Sequence, residues 1–457
     1  MFVDREDELK SLEDIEKKRG ASLIIVYGPR RIGKSTLVRK FLEGKKSIYY
    51  QATKESESVQ LGIFSRAIGR GIGNIILAEQ GITDWLALFR FLGEYNKKEK
   101  LFVAIDEFPY LVRLNSALPS ILQSAWDQYI SSSNVALILT GSSISMMRSE
   151  VLSYSAPLYG RASLVFNLKP LAFKHIMQLL PNMSFIDRLY TYFIFGGVPA
   201  YYSEFADAKS FDDVLRHVFA SSDFFYSELS LLLSEEVKKD TKYIEILTLI
   251  AEGINKPSEI AGKAHIAQSN LYYYLDLLET IGMIEKEWPV TENRLLRSKK
   301  ISYVVKNNFA FFWANVLVKV MNYIQRDGLE NTIKESKIMI ESIIHKRFES
   351  FAAEFLSISG TCPFLPEKIG RWWGKDPSKP KGMNQEEIDV VALNEKSKDI
   401  LFAECKWSDE KVGKEVYEEL KRKAKLVQWH NEDRHEHYAL FSKSGFTEEM
   451  RGIAEKE

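Results

Sequence analysis

One short segment with a fixed spacing of glycine, lysine and serine constrains this chain more than any other part of it. The segment consists of Gly28, Pro29, Arg30, Arg31, Ile32, Gly33, Lys34 and Ser35, and Thr36 follows it. An apolar run precedes it and a helical pattern follows it, so a buried strand is expected to lead through a loop into a helix. This is the spacing G-x-x-x-x-G-K-[ST] in the context that phosphate binding requires, because backbone N–H groups and a helix N-terminus then face the anion. The sequence therefore predicts a phosphate-binding loop.

The chemistry expected at this loop is binding and hydrolysis of ATP with Mg²⁺. Lys34 would reach the β- and γ-phosphates, and the Ser35 hydroxyl would hold Mg²⁺. The apolar run 101–105 is typical of a central parallel strand that is buried on both faces, and it ends in two acids. Asp106 is predicted to bind Mg²⁺ through water, and Glu107 to orient and deprotonate the attacking water.

Two further positions near this predicted site have open alternatives. The apolar run 135–139 ends in a polar stretch that contains Ser142 and Ser143. If this strand lies between the first strand and the Asp106 strand, one of these serines senses the γ-phosphate; otherwise it caps the next helix. Arg161 is either an arginine that stabilises charge on the phosphates, in its own chain or in a neighbouring subunit, or a member of a surface salt bridge.

The middle of the chain is predicted to contain a helical lid and then a winged helix. Residues 171–238 are mostly helical in pattern, and residues 239–306 combine three short helical patterns with two strand-like runs. The second helix of the motif, 268–281, has no basic residue, which favours a structural role over the reading of base edges. Four basic residues on the predicted wing are placed where they can contact phosphate: Arg294, Arg297, Lys299 and Lys300.

The C-terminal region places acids and a lysine in strands that are otherwise apolar. Asp389 lies in one such run, and Glu404 and Lys406 lie two residues apart in the next, hence on one face of a strand. In the PD-(D/E)xK nuclease pattern, two carboxylates hold Mg²⁺ and the lysine positions or activates water. The preceding helix offers Glu349 or Glu354 as a further acid; about 140° separates them around the helix, so only one can join the site. Glu349 is preferred.

A stretch between that helix and those strands interleaves aromatic and basic residues. Residues 370–381 contain Trp372 and Trp373 among lysines, prolines and glycines. Such a loop suits the backbone and the unstacked bases of a nucleic acid. The alternative is that the tryptophans close a core while the lysines stay in solvent.

Composition limits the class of protein. The 457 residues are 45% hydrophobic and 27% charged, which is typical of a folded chain with several cores. Lys plus Arg and Asp plus Glu both number 62, so any nucleic-acid binding must depend on local patches. Two cysteines, no pattern of a signal peptide and no apolar run of about 20 residues predict a cytoplasmic protein without a membrane partner.

These observations predict an α/β protein in four parts. Residues 1–170 form a P-loop ATPase core with a parallel sheet of the additional-strand type, and residues 171–238 form the helical lid. Residues 239–306 form the winged helix, and residues 307–457 form a restriction-endonuclease-like α/β domain.

Taken together, these motifs resemble an archaeal P-loop ATPase family of the signal-transduction (STAND-like) group, whose members join an AAA-type domain, a winged helix and a nuclease-like domain. The residues that carry the resemblance are Phe2, Arg5, Glu6, the loop 28–35, Asp106, Glu107, Phe108, Leu158–Arg161, Gly196–Pro199, Asp389, Glu404 and Lys406. The resemblance implies that Arg5 and Pro199 lie near the nucleotide base. It also implies an ATP-driven switch with DNA as a partner, contacted mostly through the backbone, and a homo-oligomer or a protein partner. Ile388 replaces the proline of the idealised nuclease motif.

Two other functions remain open. In one, the C-terminal part is an inactive module that binds nucleic acid or protein without cutting. In the other, the chain is a transcription regulator that works through its winged helix, although the neutral second helix argues against this.

Overall fold

The structure is a computed structural model that describes residues 2–95, 98–237, 241–292 and 301–457. It divides into two compact units, Met1–Val214 with Ser227–Asp240, and Leu215–Tyr226 with Thr241–Glu457. The predicted division into four parts stays a prediction. Across the described ranges, no helix is both long enough and apolar enough to cross a membrane.

The first unit begins with a strand–helix alternation. Its core elements are α1 (Glu6–Lys17), β1 (Ser22–Tyr27), α2 (Lys34–Leu42), β2 (Ser47–Gln51), α3 (Glu57–Ile72), α4 (Ile75–Gln80), α5 (Trp85–Gly93), β3 (Leu101–Asp106), α6 (Phe108–Leu114), α7 (Leu118–Gln128), β4 (Val135–Gly141), α8 (Ile144–Met146) and β5 (Ala162–Asn167). Helices follow: α9 (Phe173–Leu179), α10 (Phe185–Phe195), α11 (Pro199–Ser203), α12 (Phe211–Ala220) and α13 (Ser222–Ser234). The division between the units falls within α12 and within α13.

The five strands form one parallel sheet in the order β2-β3-β4-β1-β5. Every residue of β1, β3 and β4 is buried, because helices cover both faces of the sheet. Strand β4 lies between β1 and β3, so the predicted additional-strand P-loop fold is confirmed. The carboxyl ends of these three strands therefore meet at one edge of the sheet, where ligands bind in open α/β folds.

The second unit continues with α14 (Lys242–Ala251), α15 (Pro257–Lys263), α16 (Gln268–Thr280), β6 (Ile284–Glu287), β7 (Ser302–Val305) and α17 (Asn308–Phe312). Strands β6 and β7 pair antiparallel. Three helices and a strand pair are the elements predicted here, and their assignment as a winged helix stays a prediction. The four basic wing residues from Arg294 to Lys300 lie outside the described residues.

A long helix, α18 (Val318–Ile358), leads into the C-terminal sheet. It is kinked at Gly328, whose φ of 78° and ψ of 170° are not helical. In the second half of this helix Ile340, Ile344 and Phe348 are buried along one stripe. The remaining elements are β8 (Lys368–Lys375), β9 (Gln385–Asn394), β10 (Asp399–Lys406), α19 (Lys414–Ala424), β11 (His435–Ser442) and α20 (Glu448–Ala454).

The C-terminal sheet is mixed, in the order β11-β10-β9-β8. Strand β10 pairs parallel with β11 and antiparallel with β9. The first half of the aromatic–basic stretch predicted as a loop, residues 370–375, lies in strand β8, and Trp372 is buried in the same core cluster as Ile388 and Phe402. For Trp372 the structure therefore favours the alternative that the ring closes a core, since burial of a large apolar ring is stabilising.

Candidate active sites

The phosphate loop has the backbone geometry that its glycines allow. Gly28 has a φ of 152°, and a Cβ there would lie 2.6 Å from the Leu168 carbonyl oxygen. Gly33, with a φ of 94°, is the N-cap of α2, so this helix N-terminus faces the loop. Pro199 approaches the same loop, because a Cβ on Gly33 would lie 3.9 Å from its Cγ. Any larger residue at Gly28 would collide with backbone.

Lys34 is buried in the loop and its ammonium is held by backbone oxygens. Its Nζ donates to the Gly28 oxygen at 3.0 Å and to the Pro29 oxygen at 2.8 Å. Burial lowers the pKa of Lys34 to about 8, against the opposing charges of Glu107 and Asp106. The ammonium therefore lies among the groups predicted to handle the phosphates and the metal.

Asp106 ends β3 fully buried and accepts three hydroxyl hydrogen bonds. The Ser35 hydroxyl donates to Oδ2 at 2.7 Å, and the hydroxyls of Tyr49 and Thr140 also donate to this carboxylate. The structure thus brings Ser35 and Asp106 together as the two residues expected at Mg²⁺. Burial raises the pKa of Tyr49 to about 12, so its hydroxyl keeps its proton at neutral pH and donates a hydrogen bond to Asp106. Tyr49 was missed in the sequence, where it is one polar aromatic on a short strand.

Glu107 follows with a left-handed backbone, φ 56°, and its carboxylate contacts Ser142. The Ser142 hydroxyl lies 2.7 Å from each carboxylate oxygen, and its N–H donates to Oε2 at 3.1 Å. Ser142 therefore restrains the predicted base, and its role as a phosphate sensor stays a prediction. Ser143 is the N-cap of α8 by position, but its hydroxyl donates to Glu236 at 3.1 Å.

The two arginines of the loop are paired with acids that sequence reasoning did not find. Arg30 contacts Glu235 at 3.2 Å, and Arg31 contacts Glu228 at 3.1 Å. Glu228 also accepts from the Tyr201 hydroxyl at 3.0 Å, and burial raises its pKa. These acids follow the loop by about 200 positions, and no local signal marks them.

Arg161 and Arg5 make other contacts. Arg161 binds both carboxylate oxygens of Asp127, at 2.8 and 2.6 Å. It precedes β5, whose first residue pairs with Leu23 at the start of β1, so Arg161 lies at the opposite edge of the sheet from the phosphate loop. This pair and this position favour the salt-bridge alternative, and a role of Arg161 at a nucleotide stays a prediction. Arg5 donates to the Lys169 oxygen at 2.6 Å.

A second cluster joins the predicted nuclease-like residues on β9 and β10. Asp389 accepts from the Cys405 N–H at 2.8 Å, and Lys406 contacts Glu404 at 2.8 Å. Lys423 of α19, which sequence reasoning missed, lies 3.2 Å from both carboxylate oxygens of Glu404. Burial and the charge of Glu404 raise the pKa of Asp389.

Glu349 of α18 lies beside this cluster. Burial and the charge of Asp389 raise the pKa of Glu349 to about 7, and Arg371 lies 3.7 Å from it. Among the described residues, no three His, Cys, Asp or Glu side chains are arranged to hold a metal ion together. The predicted three-carboxylate metal set of Glu349, Asp389 and Glu404 is therefore not preassembled, because nearby cations hold two of the acids.

The comparisons with known proteins agree with the first site. Residues 2–205 match a family model described as an ATPase domain predominantly from Archaea. An uncharacterized protein of Methanocaldococcus jannaschii, MJECL04, is 35% identical over 448 residues, which cover 97% of this chain and 96% of that protein. The chain belongs to this archaeal ATPase family.

Further similarities cover parts of this archaeal ATPase. Residues 313–422 match a family described as archaeal and bacterial proteins of unknown function. The uncharacterized ATP-binding protein MJ0423 of M. jannaschii is 54% identical over 46 residues, which are 10% of this chain and 78% of that protein. The Walker-type ATPase PABY2304 of Pyrococcus abyssi shares the fold with a TM-score of 0.53 and 20% identity, covering 68% of this chain and 96% of that chain.

Proposed function

We propose that this archaeal ATPase is an ATP-driven switch whose nucleotide state controls a metal-dependent, nuclease-like domain that acts on DNA. The observation that carries the proposal is the juxtaposition of Asp389, Glu404 and Lys406 on two paired strands. Charged groups in buried strands are costly unless they are paired or bind metal. Lys406 and Lys423 pair with Glu404, while burial and the charge of Glu404 raise the pKa of Asp389, so a metal ion between the two acids would relieve their repulsion.

At the nucleotide site, Ser35 and Asp106 would hold Mg²⁺ and Lys34 would bind the phosphates. Glu107 would take the proton of the attacking water, and Ser142 would fix the direction of that carboxylate. The resemblance implies that Arg5 and Pro199 lie near the base, and Pro199 approaches the phosphate loop at Gly33. A cytoplasmic location follows from the same proposal.

At the second site, Asp389 and Glu404 would hold the metal, with Glu349 as a further acid. The metal would stabilise charge on the scissile phosphate. Lys406 would release Glu404 and position the attacking water, and Lys423 would balance the charge that remains on Glu404. A metal ion at this site would therefore compete with Lys406 and Lys423 for the Glu404 carboxylate.

A winged helix formed by α14 to β7 would have a structural role in this scheme. Helix α16 exposes Tyr272 and Tyr273 but carries no basic residue, so it lacks the side chains that read guanine edges. Helices α12 and α13 each contribute residues to both units, and in this scheme they are the elements through which nucleotide state would be passed on.

The test is cleavage of DNA in duplex, single-stranded and branched forms with Mg²⁺ or Mn²⁺, with and without ATP. We expect cutting by the wild type and a loss of about 100-fold in Lys406→Ala, since a preorganised cation at the reacting centre contributes on that order. The matched control is Lys396→Ala, which removes an exposed lysine of the β9–β10 turn. ATP hydrolysis should be unchanged in both variants.

A module that binds without cutting is the second candidate. It is favoured by the two lysines that already neutralise Glu404. If the wild type cuts none of these DNA forms, the hypothesis that the C-terminal domain is a nuclease is contradicted. DNA binding that weakens with salt and ignores metal would then support this candidate.

A further inference from the structure

Two consecutive glutamates just after α13 contact the nucleotide site at separate places. Glu236 accepts hydrogen bonds from the β4–α8 turn, which here means Ser143 and the first two residues of α8: from the Ser143 hydroxyl at 3.1 Å, the Ile144 N–H at 2.6 Å and the Ser145 N–H at 3.2 Å. The Ser145 hydroxyl donates to the same carboxylate. This turn follows directly after Ser142, which holds the predicted base.

Glu235 contacts the phosphate loop and α6. Its carboxylate lies 3.2 Å from Arg30 and 3.8 Å from Arg113, and it accepts from the Tyr110 hydroxyl at 3.2 Å. Arg113 also donates to the Glu235 backbone oxygen. Both the side chain and the backbone of Glu235 are therefore fixed against the ATPase core.

The phosphates of ATP and these glutamates make opposing demands on the site. The charge of Glu236 acts on Lys34 together with those of Glu107 and Asp106, so several carboxylates already surround the ammonium. ATP adds about three to four negative charges at the same loop, and like charges repel more strongly in a partly buried site than in water. Arg30 also donates a hydrogen bond to Glu235, so its guanidinium has fewer N–H groups left to bind the phosphates.

We propose that Glu235 and Glu236 form an acidic clasp that holds the phosphate loop to the β4–α8 turn, and that ATP binding releases this clasp. Because binding couplings are reciprocal, a docked clasp lowers the affinity for ATP by the same factor by which ATP loosens the clasp. The effect is weaker for ADP, which lacks the γ-phosphate. The clasp depends on the ATPase site alone and is independent of the nuclease proposal.

The test is nucleotide affinity in the full-length double variant Glu235→Gln with Glu236→Gln. Glutamine keeps the size of the side chain and removes its charge. We expect ATP affinity to rise about tenfold, a coupling of ordinary size, with a smaller rise for ADP. The matched control is Glu13→Gln with Glu79→Gln, which makes the same charge change at two exposed positions and should leave both affinities unchanged.

A mutant cycle separates this role from a merely structural one. In the clasp, Glu235 competes with ATP for Arg30, so Arg30→Ala should cost more ATP affinity in the Glu235→Gln background than in the wild type, by about threefold. Additive effects of the two substitutions, or an ATP affinity that is unchanged or lower in a folded double-glutamine variant, would overturn the proposal. Folding is checked by the thermal unfolding temperature of each variant.

Discussion

The two carboxylate-containing sites of this ATPase are built in different ways. At the nucleotide site, Asp106 and Glu107 accept hydrogen bonds from neutral hydroxyls and stand beside one lysine with a lowered pKa. At the C-terminal site, Glu404 is held by two lysines and Glu349 has a pKa raised to about 7. Under the proposed function, the first set of acids would receive a metal without losing an ion pair, whereas the second would first have to lose its cations or its proton.

This difference shows how a site's charge balance depends on its expected ligand. At the nucleotide site the cation Lys34 lies in the phosphate loop, and the acids accept hydrogen bonds from hydroxyl groups. A hydroxyl group can rotate away from a carboxylate when a metal ion binds, as an ion-paired lysine does less easily. A site of paired acids and lysines is neutral by itself, so it gains less from binding and depends more on a trigger. The second arrangement is what a regulated site would need.

The largest expected effect concerns the loop lysine. Lys34→Ala should lower ATP hydrolysis by about 10² to 10³-fold, because it removes a buried cation from the phosphates. Metal binding at the C-terminal site, measured with Mn²⁺, should not change. Steady-state hydrolysis and Mn²⁺ titration of the same preparation check both expectations.

The control for this variant is Lys40→Ala, an exposed lysine of the same helix that pairs with Glu43. It should hydrolyse ATP at the wild-type rate. An unchanged ATP affinity in Lys34→Ala would mean that the loop is not the phosphate site, and the contrast between the two sites would then fail.

A smaller effect is expected from the raised pKa of Glu349, measured without metal. The folded-state pKa is about 7 and the ordinary value is 4.5, so the folded state holds the proton more tightly. Its contribution to stability is full below about pH 4.5 and is lost as the pH rises through about 7. Relative to Glu349→Gln, the wild type should therefore lose at most about 3 kcal/mol between these pH values.

Thermal unfolding of both proteins across this pH range, in the presence of a chelator, measures that difference. Glu335→Gln, at an exposed position of the same helix, should follow the wild type at every pH. A constant difference between Glu349→Gln and the wild type would indicate an ordinary carboxylate, and the two sites would then be more alike than their structures indicate.

The smallest effect is expected at Arg161, which lies at the edge of the parallel sheet opposite the phosphate loop. Its pair with Asp127 is partly exposed, so Arg161→Ala should cost less than about 1 kcal/mol of stability. Hydrolysis of ATP should stay within about twofold of the wild type, and Asp127→Ala should behave in the same way. A tenfold loss that depends on protein concentration would instead assign Arg161 to a neighbour's nucleotide.

Much of the nucleotide site could be predicted because its residues are local to strand ends. The spacing from Gly28 to Ser35 and the acids after the run 101–105 each lie within a few residues of a buried strand. Parallel pairing then brings these strand ends to one edge. Tyr49 could not be predicted in the same way, because its contact with Asp106 depends on which strand is next to β3.

The C-terminal site was predicted in part. The alternation along β10 placed Glu404 and Lys406 on one face, and the acid inside β9 identified Asp389. Lys423 was missed, since a charged amphipathic helix has many lysines and only the packing of α19 selects one of them. The loop interpretation of Trp372 failed because a short aromatic run between glycines fits an edge strand equally well.

The sequence by itself therefore indicated the phosphate loop, the two acids after β3 and the strand residues of the C-terminal cluster. These depend on periodicity and on short spacings, which the chain encodes locally. Only the tertiary structure decided the partners of Arg30, Arg31, Arg161 and Glu404. Electrostatic pairing acts through space, so its partners follow from how distant segments pack and not from their order along the chain.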